Sequence, residues 1–281
     1  MNGCREQWYT FCRATLIPVP VISMRRARPP WPWESKRVAP NFCPPLSGSQ
    51  KRGPEKESLR KRQEMGRIRR FYYDIFSNFY DLIIDLHSKD KSEGLRDFLV
   101  ESAGIGPGSA VLDICSGTGS VALKAAELVK EEGGRVVALD FSLGMLKKAR
   151  RKSGEKNLGS LDLVQADVSC LPFPDCSFDR VTCSHAMYEL TGKARMEGLG
   201  EINRVLKKGG RFFMMEHEVP QRPFVRFLYH VRLTTMGSRE NRGFARDEIP
   251  ELSAHFSDVQ KSRSPTGRSK LLSGTKNKIE N

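Results

Sequence analysis

The chain has 281 residues, 38% of them hydrophobic, enough for one large domain with a real core. Its net charge of +14 would suit a nucleic-acid partner, but residues 1–64 carry 13 Lys/Arg against 5 Asp/Glu and residues 259–281 carry 6 against 1, so the body between them is almost neutral. No run of about 18 apolar residues is present, which excludes a membrane-spanning helix, and the stretch from Ala14 to Met24, broken by Pro18 and Pro20, makes a poor signal peptide.

Residues 1–64 hold nine of the 16 prolines. Proline fixes φ and removes a backbone donor, so this basic segment reads as a disordered extension without a role in the chemistry. The expected location is cytoplasmic, or organellar if the basic N-terminus is a presequence. The seven cysteines lack zinc-ribbon spacing. They read as free thiols, with Cys115 and Cys183 as buried packing residues, and no metal site is expected.

Residues 65–109 form a helical cap region. Tyr72, Ile75, Phe76, Phe79, Leu82, Ile83 and Leu86 recur at helical spacing. A second helix runs from about Glu93 to Ser102, stopped by Gly104, Gly106, Pro107 and Gly108. Strand and helix then alternate through a core spanning 110–273. Strands are expected at 110–115, 135–140, 161–166, 178–184 and 211–216. Helices are expected from Val121 to Val129, after a Ser142 cap, and from Thr191 to Lys208. Strands joined by single helices imply a mainly parallel sheet whose ligands bind beyond the strands' carboxyl ends. The polar residues Asp113, Ser116, Asp140, Asp167, Ser184, His185, Glu216 and His217 all fall at those ends. Residues 274–281 read as a flexible tail.

The sharpest signal is Val111-Leu112-Asp113-Ile114-Cys115-Ser116-Gly117-Thr118-Gly119-Ser120. Gly117 and Gly119 permit a tight strand-to-helix turn and close backbone approach to a ligand, and the next helix offers free N–H groups. The pattern also fits a dinucleotide site, and alone it does not choose the cofactor. Asp113 favours S-adenosylmethionine: a carboxylate beside this loop repels a pyrophosphate but suits an ammonium and a sulfonium, directly or through water. Asp140, 21 residues after Gly119, can accept from ribose hydroxyls. Phe141 and Met145 can face an adenine, and Asp167 with the Val168 N–H can meet its polar edge.

The segments VLDICSGTGSVAL, VVALDFSLGMLKKAR, DLVQADVSCLPFPDCSFDRVTCSHAMYEL and EINRVLKKGGRFFMMEHEVP resemble the class I methyltransferases, particularly the small-molecule branch that includes the ubiquinone/menaquinone C-methyltransferases. The resemblance covers about 70–260. It implies an α/β, Rossmann-like fold with a seven-stranded, mostly parallel sheet and an antiparallel terminal hairpin, its last strand in SKLLSG. It implies that Asp113, Ser116, Gly117, Thr118 and Gly119 surround the methionine part, that Asp140, Phe141, Met145, Asp167 and Val168 hold the adenosine, and that Ser184 and His185 line the far side. Tyr80 belongs to a helix that covers the cofactor in such relatives.

For the acceptor, His185 and His217 are candidate catalytic bases, since imidazole titrates near neutrality; local hydrogen bonding is the competing reading. An acceptor-side helical insertion spans 218–253. Within it Phe224, Phe227, Leu228 and Val231 make one apolar face, with Arg226 opposite. That face can pack on the core, roof an acceptor pocket or rest peripherally on an anionic membrane. After the fourth strand, Ser184-His185-Ala186-Met187 replaces the Gly-Leu-Arg-Asn stretch of quinone methylases, so the resemblance leaves the acceptor open between small molecules and lipids. A nucleic-acid methyltransferase, disfavoured by the neutral body, and a nonenzymatic adaptor are the alternatives.

Overall fold

The computed structural model describes residues 94–190, 192–218, 247–267 and 269–276. The expectations for the N-terminal extension, for the helix bearing Tyr80 and for the apolar face from Phe224 to Val231 lie outside those residues. In chain order the elements are α1 (Gly94–Ser102), β1 (Ala110–Ile114), α2 (Ser120–Val129), β2 (Arg135–Asp140), α3 (Leu143–Glu155), β3 (Leu161–Gln165), β4 (Phe178–Ser184), α4 (Gly192–Val205), β5 (Leu206–His217), α5 (Ile249–Ser253), β6 (Phe256–Arg263) and β7 (Ser269–Lys276).

The strands form one seven-stranded sheet in the order β3-β2-β1-β4-β5-β7-β6. The first five are mutually parallel, and β7 runs antiparallel to both β5 and β6. The expected Rossmann-like sheet with an antiparallel terminal hairpin is therefore the observed one, and SKLLSG lies in its last strand. Chain order reverses between β1 and β4, the switch point at which such sheets open a crevice.

Period-two alternation splits the core into two layers. Leu112, Ile114, Val137, Leu139, Val181, Cys183, Phe212 and Met214 face Leu199, Ile202 and Val205 of α4. On the other face Val111, Val136, Ala138, Leu161, Leu163, Phe213 and Met215 meet α1, α2 and α3. The edge strand β6 is mostly exposed, and its pairing shifts between Ser257 and Gln260, where Asp258 adopts φ 51°. Exposed polar side chains and a bulge discourage edge-to-edge association.

Three local features differ from the sequence reading. The helix expected to reach Lys208 stops at Val205, because Leu206 already pairs with Phe178; residues 207–210 then loop out through Gly209 (φ 71°) before Arg211 pairs with Arg180. β7 continues past residue 273, because Thr275 pairs with Arg211 and Lys276 with Phe256. Cys115, Cys176 and Cys183 are free thiols, whereas Cys170, in the partly exposed turn after β3, is disulfide-bonded.

Phe178 anchors the start of β4. It is fully buried and meets Phe173 edge to face, with ring centroids 5.1 Å apart. Phe178→Ala is expected to lower stability by about 3–5 kcal/mol, the usual cost of emptying a buried aromatic site. Urea denaturation measures it, and a loss below about 1 kcal/mol would mean that this corner repacks.

Candidate functional site

The glycine turn is shaped by left-handed backbone at Cys115 (φ 50°), Gly117 (φ 55°) and Gly119 (φ 79°). Ser116 N–H donates to the Leu139 carbonyl (3.0 Å), and Gly119 N–H donates to the Ser116 carbonyl (2.9 Å). The two glycines have different reasons to be glycine. A Cβ at Gly119 would lie 2.9 Å from the Ala149 Cβ, so that position is closed by the packing of α3. A Cβ at Gly117 would meet nothing within 4 Å, so that position faces open space. Beside it the Ser116 hydroxyl oxygen is buried and has no hydrogen-bond partner among the described residues. Thr118 is turned away and accepts from Lys152 Nζ on α3 (3.1 Å).

Asp140 ends β2 and ties the turn down. Its Oδ2 accepts from Gly117 N–H (2.8 Å) and its Oδ1 from Ser142 N–H (2.9 Å). The Ser142 hydroxyl in turn accepts from Met145 N–H (3.3 Å), capping α3 and fixing Met145 in the interior. The Phe141 carbonyl accepts from Gln165 Nε2 (3.0 Å), which links the ends of β2 and β3.

The Asp113 side chain is turned toward Thr182 and the start of α2. It pairs across to Thr182 and is only 2% exposed; its carboxylate accepts from the Thr182 hydroxyl (2.7 Å) and from the Ala122 N–H in the first turn of α2. Burial pushes its pKa up to about 7, with the Asp140 carboxylate adding to the rise against those two hydrogen bonds. After β3, Asp167 is exposed and accepts from Ser169 N–H (2.9 Å) and its hydroxyl (2.8 Å). The side chain of Val168 is buried against Gly198 of α4, whose built Cβ would lie 3.4 Å from it.

The ends of β4 and β5 meet the start of β7. His185, at φ 54°, leaves the strand, and its Nδ1 hydrogen-bonds the Ser184 hydroxyl (3.0 Å) while its Nε2 hydrogen-bonds the Ser269 hydroxyl (3.1 Å). Its ring stacks on that of exposed His217, centroids 4.2 Å apart, and Tyr188 lies 6.0 Å from His217 edge-on. Burial holds the His185 pKa well below the usual imidazole value, assisted by His217 and Arg96. The ring is therefore neutral at physiological pH and locked by two serines, a positioning geometry for His217. Ser269 went unnoticed in the sequence because it lies 84 residues from His185, within a segment notable only as a strand.

Glu216 faces the opposite layer. Its Oε1 accepts from Met187 N–H (2.9 Å), its Oε2 has no hydrogen-bond partner among the described residues, and Lys270 stands opposite it on β7, itself in a buried ion pair with Glu248. Burial raises the Glu216 pKa to about 8 against the Met187 hydrogen bond, and the nearby Glu248 and Glu189 carboxylates raise it further. This cluster holds Met187–Glu189, the turn that follows His185.

The raised Asp113 pKa makes a stability statement. Folding favours the protonated acid, so its contribution is complete below about pH 4 and is lost as pH rises through about 7. Asp113→Asn removes that loss. The melting temperature of the variant relative to wild type is expected to be higher at pH 8 than at pH 5.5. A difference that does not change between the two pH values would show that Asp113 is ionised in the fold throughout.

Residues 60–245 match the ubiE/COQ5 methyltransferase family. The ubiquinone/menaquinone biosynthesis C-methyltransferase UbiE of Teredinibacter turnerae is 40% identical over 151 residues, 53% of this chain and 59% of that protein. The match thus spans somewhat less than two thirds of that relative. Among solved structures, a SAM dependent methyltransferase from Aquifex aeolicus has a TM-score of 0.50 at 17% identity, covering 69% of this chain and 97% of its own. Phosphoethanolamine N-methyltransferase 2 of Haemonchus contortus, solved with S-adenosyl-L-methionine, has a TM-score of 0.52 at 14% identity, covering 66% and 52%. The two structures share the fold. With its matched segment centred on the strands, glycine turn and carboxylates described above, this chain belongs to the ubiE/COQ5 methyltransferase family.

Proposed function

We propose that the chain transfers a methyl group from S-adenosylmethionine to a small-molecule or lipid acceptor. The observation that carries this reading is the buried, unpartnered Ser116 hydroxyl beside the open face of Gly117, at the switch point and next to Asp140. An orphaned buried hydroxyl costs free energy that a polar ligand recovers. When bound, the cofactor supplies an electrophilic methyl on a positively charged sulfur.

The chain's own residues supply binding and orientation, which dominate a displacement of this kind. The Asp140 carboxylate, tied to Gly117 N–H and Ser142 N–H beside the open face of Gly117, is the acceptor for the ribose hydroxyls. Exposed Asp167 can accept from an adenine amino group. Asp113 acts one layer lower, holding the first turn of α2 so that its free N–H groups point at the ligand side. On the acceptor side, exposed His217 takes the proton in this reading, with the His185 ring packed against it.

The matched relatives' C-methylation in ubiquinone/menaquinone biosynthesis supports a quinone precursor as one acceptor class. The near-neutral body weighs against nucleic acid.

Titration calorimetry with S-adenosylmethionine separates the roles of three residues. Asp140→Ala and Gly117→Ala are each expected to weaken binding at least tenfold, the latter with a stability cost of only about 1–2 kcal/mol from left-handed backbone. Gly119→Ala is expected to cost about 2–4 kcal/mol, because it adds a collision with Ala149 to the same backbone strain. Undiminished affinity in Asp140→Ala and Gly117→Ala would remove the cofactor assignment.

With methyl-labelled cofactor, label is expected in a lipid, quinone-precursor or polar-metabolite fraction and not in RNA. Label in RNA alone would overturn the acceptor class. Binding without transfer to any fraction would favour an adaptor.

A further inference from the structure

Two cysteines meet where the switch point opens. In β1, Ile114 pairs with Cys183 of β4 in parallel register, and Cys115 is the next residue. Regular alternation would put the Cys115 side chain on the opposite face from Ile114. The left-handed φ of 50° at Cys115 breaks the alternation, and its side chain packs instead against the cluster that contains Cys183. The Cys115 thiol is close enough to Cys183 to raise its pKa. Cys183 is fully buried and Cys115 is half-buried, so Cys115 is the more exposed residue of the pair. Neighbouring strands lie about 4.8 Å apart, and a disulfide needs Cα atoms about 4.4–6.8 Å apart. The serine and glycine of the turn follow Cys115 directly, so whatever fixes Cys115 fixes the turn.

We propose that Cys115 and Cys183 are a redox modification site, at which a small disulfide such as oxidised glutathione converts the thiol pair into an intramolecular disulfide that locks the glycine turn. The Cys115 thiolate attacks one sulfur of the oxidised glutathione, breaks its S–S bond and releases one reduced glutathione. Cys183 then gives up its proton and attacks the Cys115 sulfur, releasing a second reduced glutathione. Two protein thiols are oxidised by two electrons and one glutathione disulfide is reduced to two thiols. The neighbouring Cys115 thiol, together with burial, keeps Cys183 protonated, which assigns first attack to Cys115 and makes closure the slow step.

The full chain is incubated with oxidised glutathione, alkylated and mapped by peptide mass spectrometry. A peptide pair joining Cys115 to Cys183, two hydrogens lighter than the reduced pair and restored by dithiothreitol, is expected. Cys183→Ala should instead stop at a glutathione adduct on Cys115, and Cys115→Ser should yield no linked pair. Should Cys183→Ala fail to fold, the wild-type map still decides. If both thiols remain alkylatable after oxidation, or if Cys115 links only to a different cysteine, the proposal is overturned. Because the linkage is read by mass, its failure is separate from failure of the cofactor reading, on which only the consequence rests: oxidised protein should bind S-adenosylmethionine at least tenfold more weakly, reversibly. Linked protein with unchanged affinity would overturn the locking of the turn.

Discussion

A single carboxylate sets the shape of the ligand edge. Asp140 accepts the Gly117 N–H with one oxygen and the Ser142 N–H with the other, so it ties the β1–α2 turn to the start of α3 across 23 residues. The Leu139 carbonyl adds a second tie through Ser116 N–H. With both in place the turn can hold three successive left-handed positions, at Cys115, Gly117 and Gly119, that would otherwise relax. Hydrogen bonds to an ionised acceptor are stronger than neutral ones, which suits this task. Asp113 completes the arrangement from below. It is a second carboxylate close enough to repel Asp140, and burial keeps its proton on to about pH 7, which limits that repulsion where the turn is most crowded.

The acceptor rim follows from topology rather than from any one loop. Parallel strands bring only their carboxyl ends to this edge, and β4 and β5 accordingly deliver Ser184, His185, Glu216 and His217. Because β7 is antiparallel to β5, it delivers its beginning: Ser269 stands opposite His217 and Lys270 opposite Glu216. Alternation then separates these side chains. Ser269 and the imidazoles lie on one face, Lys270 and Glu216 on the other. One reversed strand thus furnishes a neutral clamp for a histidine and a countercharge for a buried acid.

The sequence made the strand order of the core and its ligand edge readable because both rest on short-range signals: apolar runs, glycine stops and polar strand ends. The hairpin was harder. β6 is an edge strand with little covered surface, so it lacks a hydrophobic period, and its placement came through family resemblance. The boundary between α4 and β5 was misplaced because Leu206 continues the helical spacing while its backbone already belongs to the sheet. Side-chain direction at strand ends was the least legible feature. Asp113 lies near the glycines in sequence and was read as facing the methionine portion, yet period two turns it under α2, toward Thr182. Cys115 was read as a packing residue, and nothing local announces the left-handed backbone that brings it to Cys183.

These differences divide the site into two kinds of construction. The cofactor half is made largely of backbone: N–H groups of the turn, a helix start, and carboxylates that organise both. Such a half tolerates extensive change of side chains, and the fold itself is shared with solved structures at 14–17% identity. The proposed acceptor half is made of side chains, namely His185, His217, Tyr188 and Ser269, whose positions depend on pairs far apart in sequence. Specificity for a methyl acceptor is a difference between competing fits, and it resides where side chains rather than backbone line the cavity. A chain can therefore keep its family through the first half while choosing its acceptor through the second. The replacement of the quinone-methylase stretch by Ser184-His185-Ala186-Met187 falls in that second half.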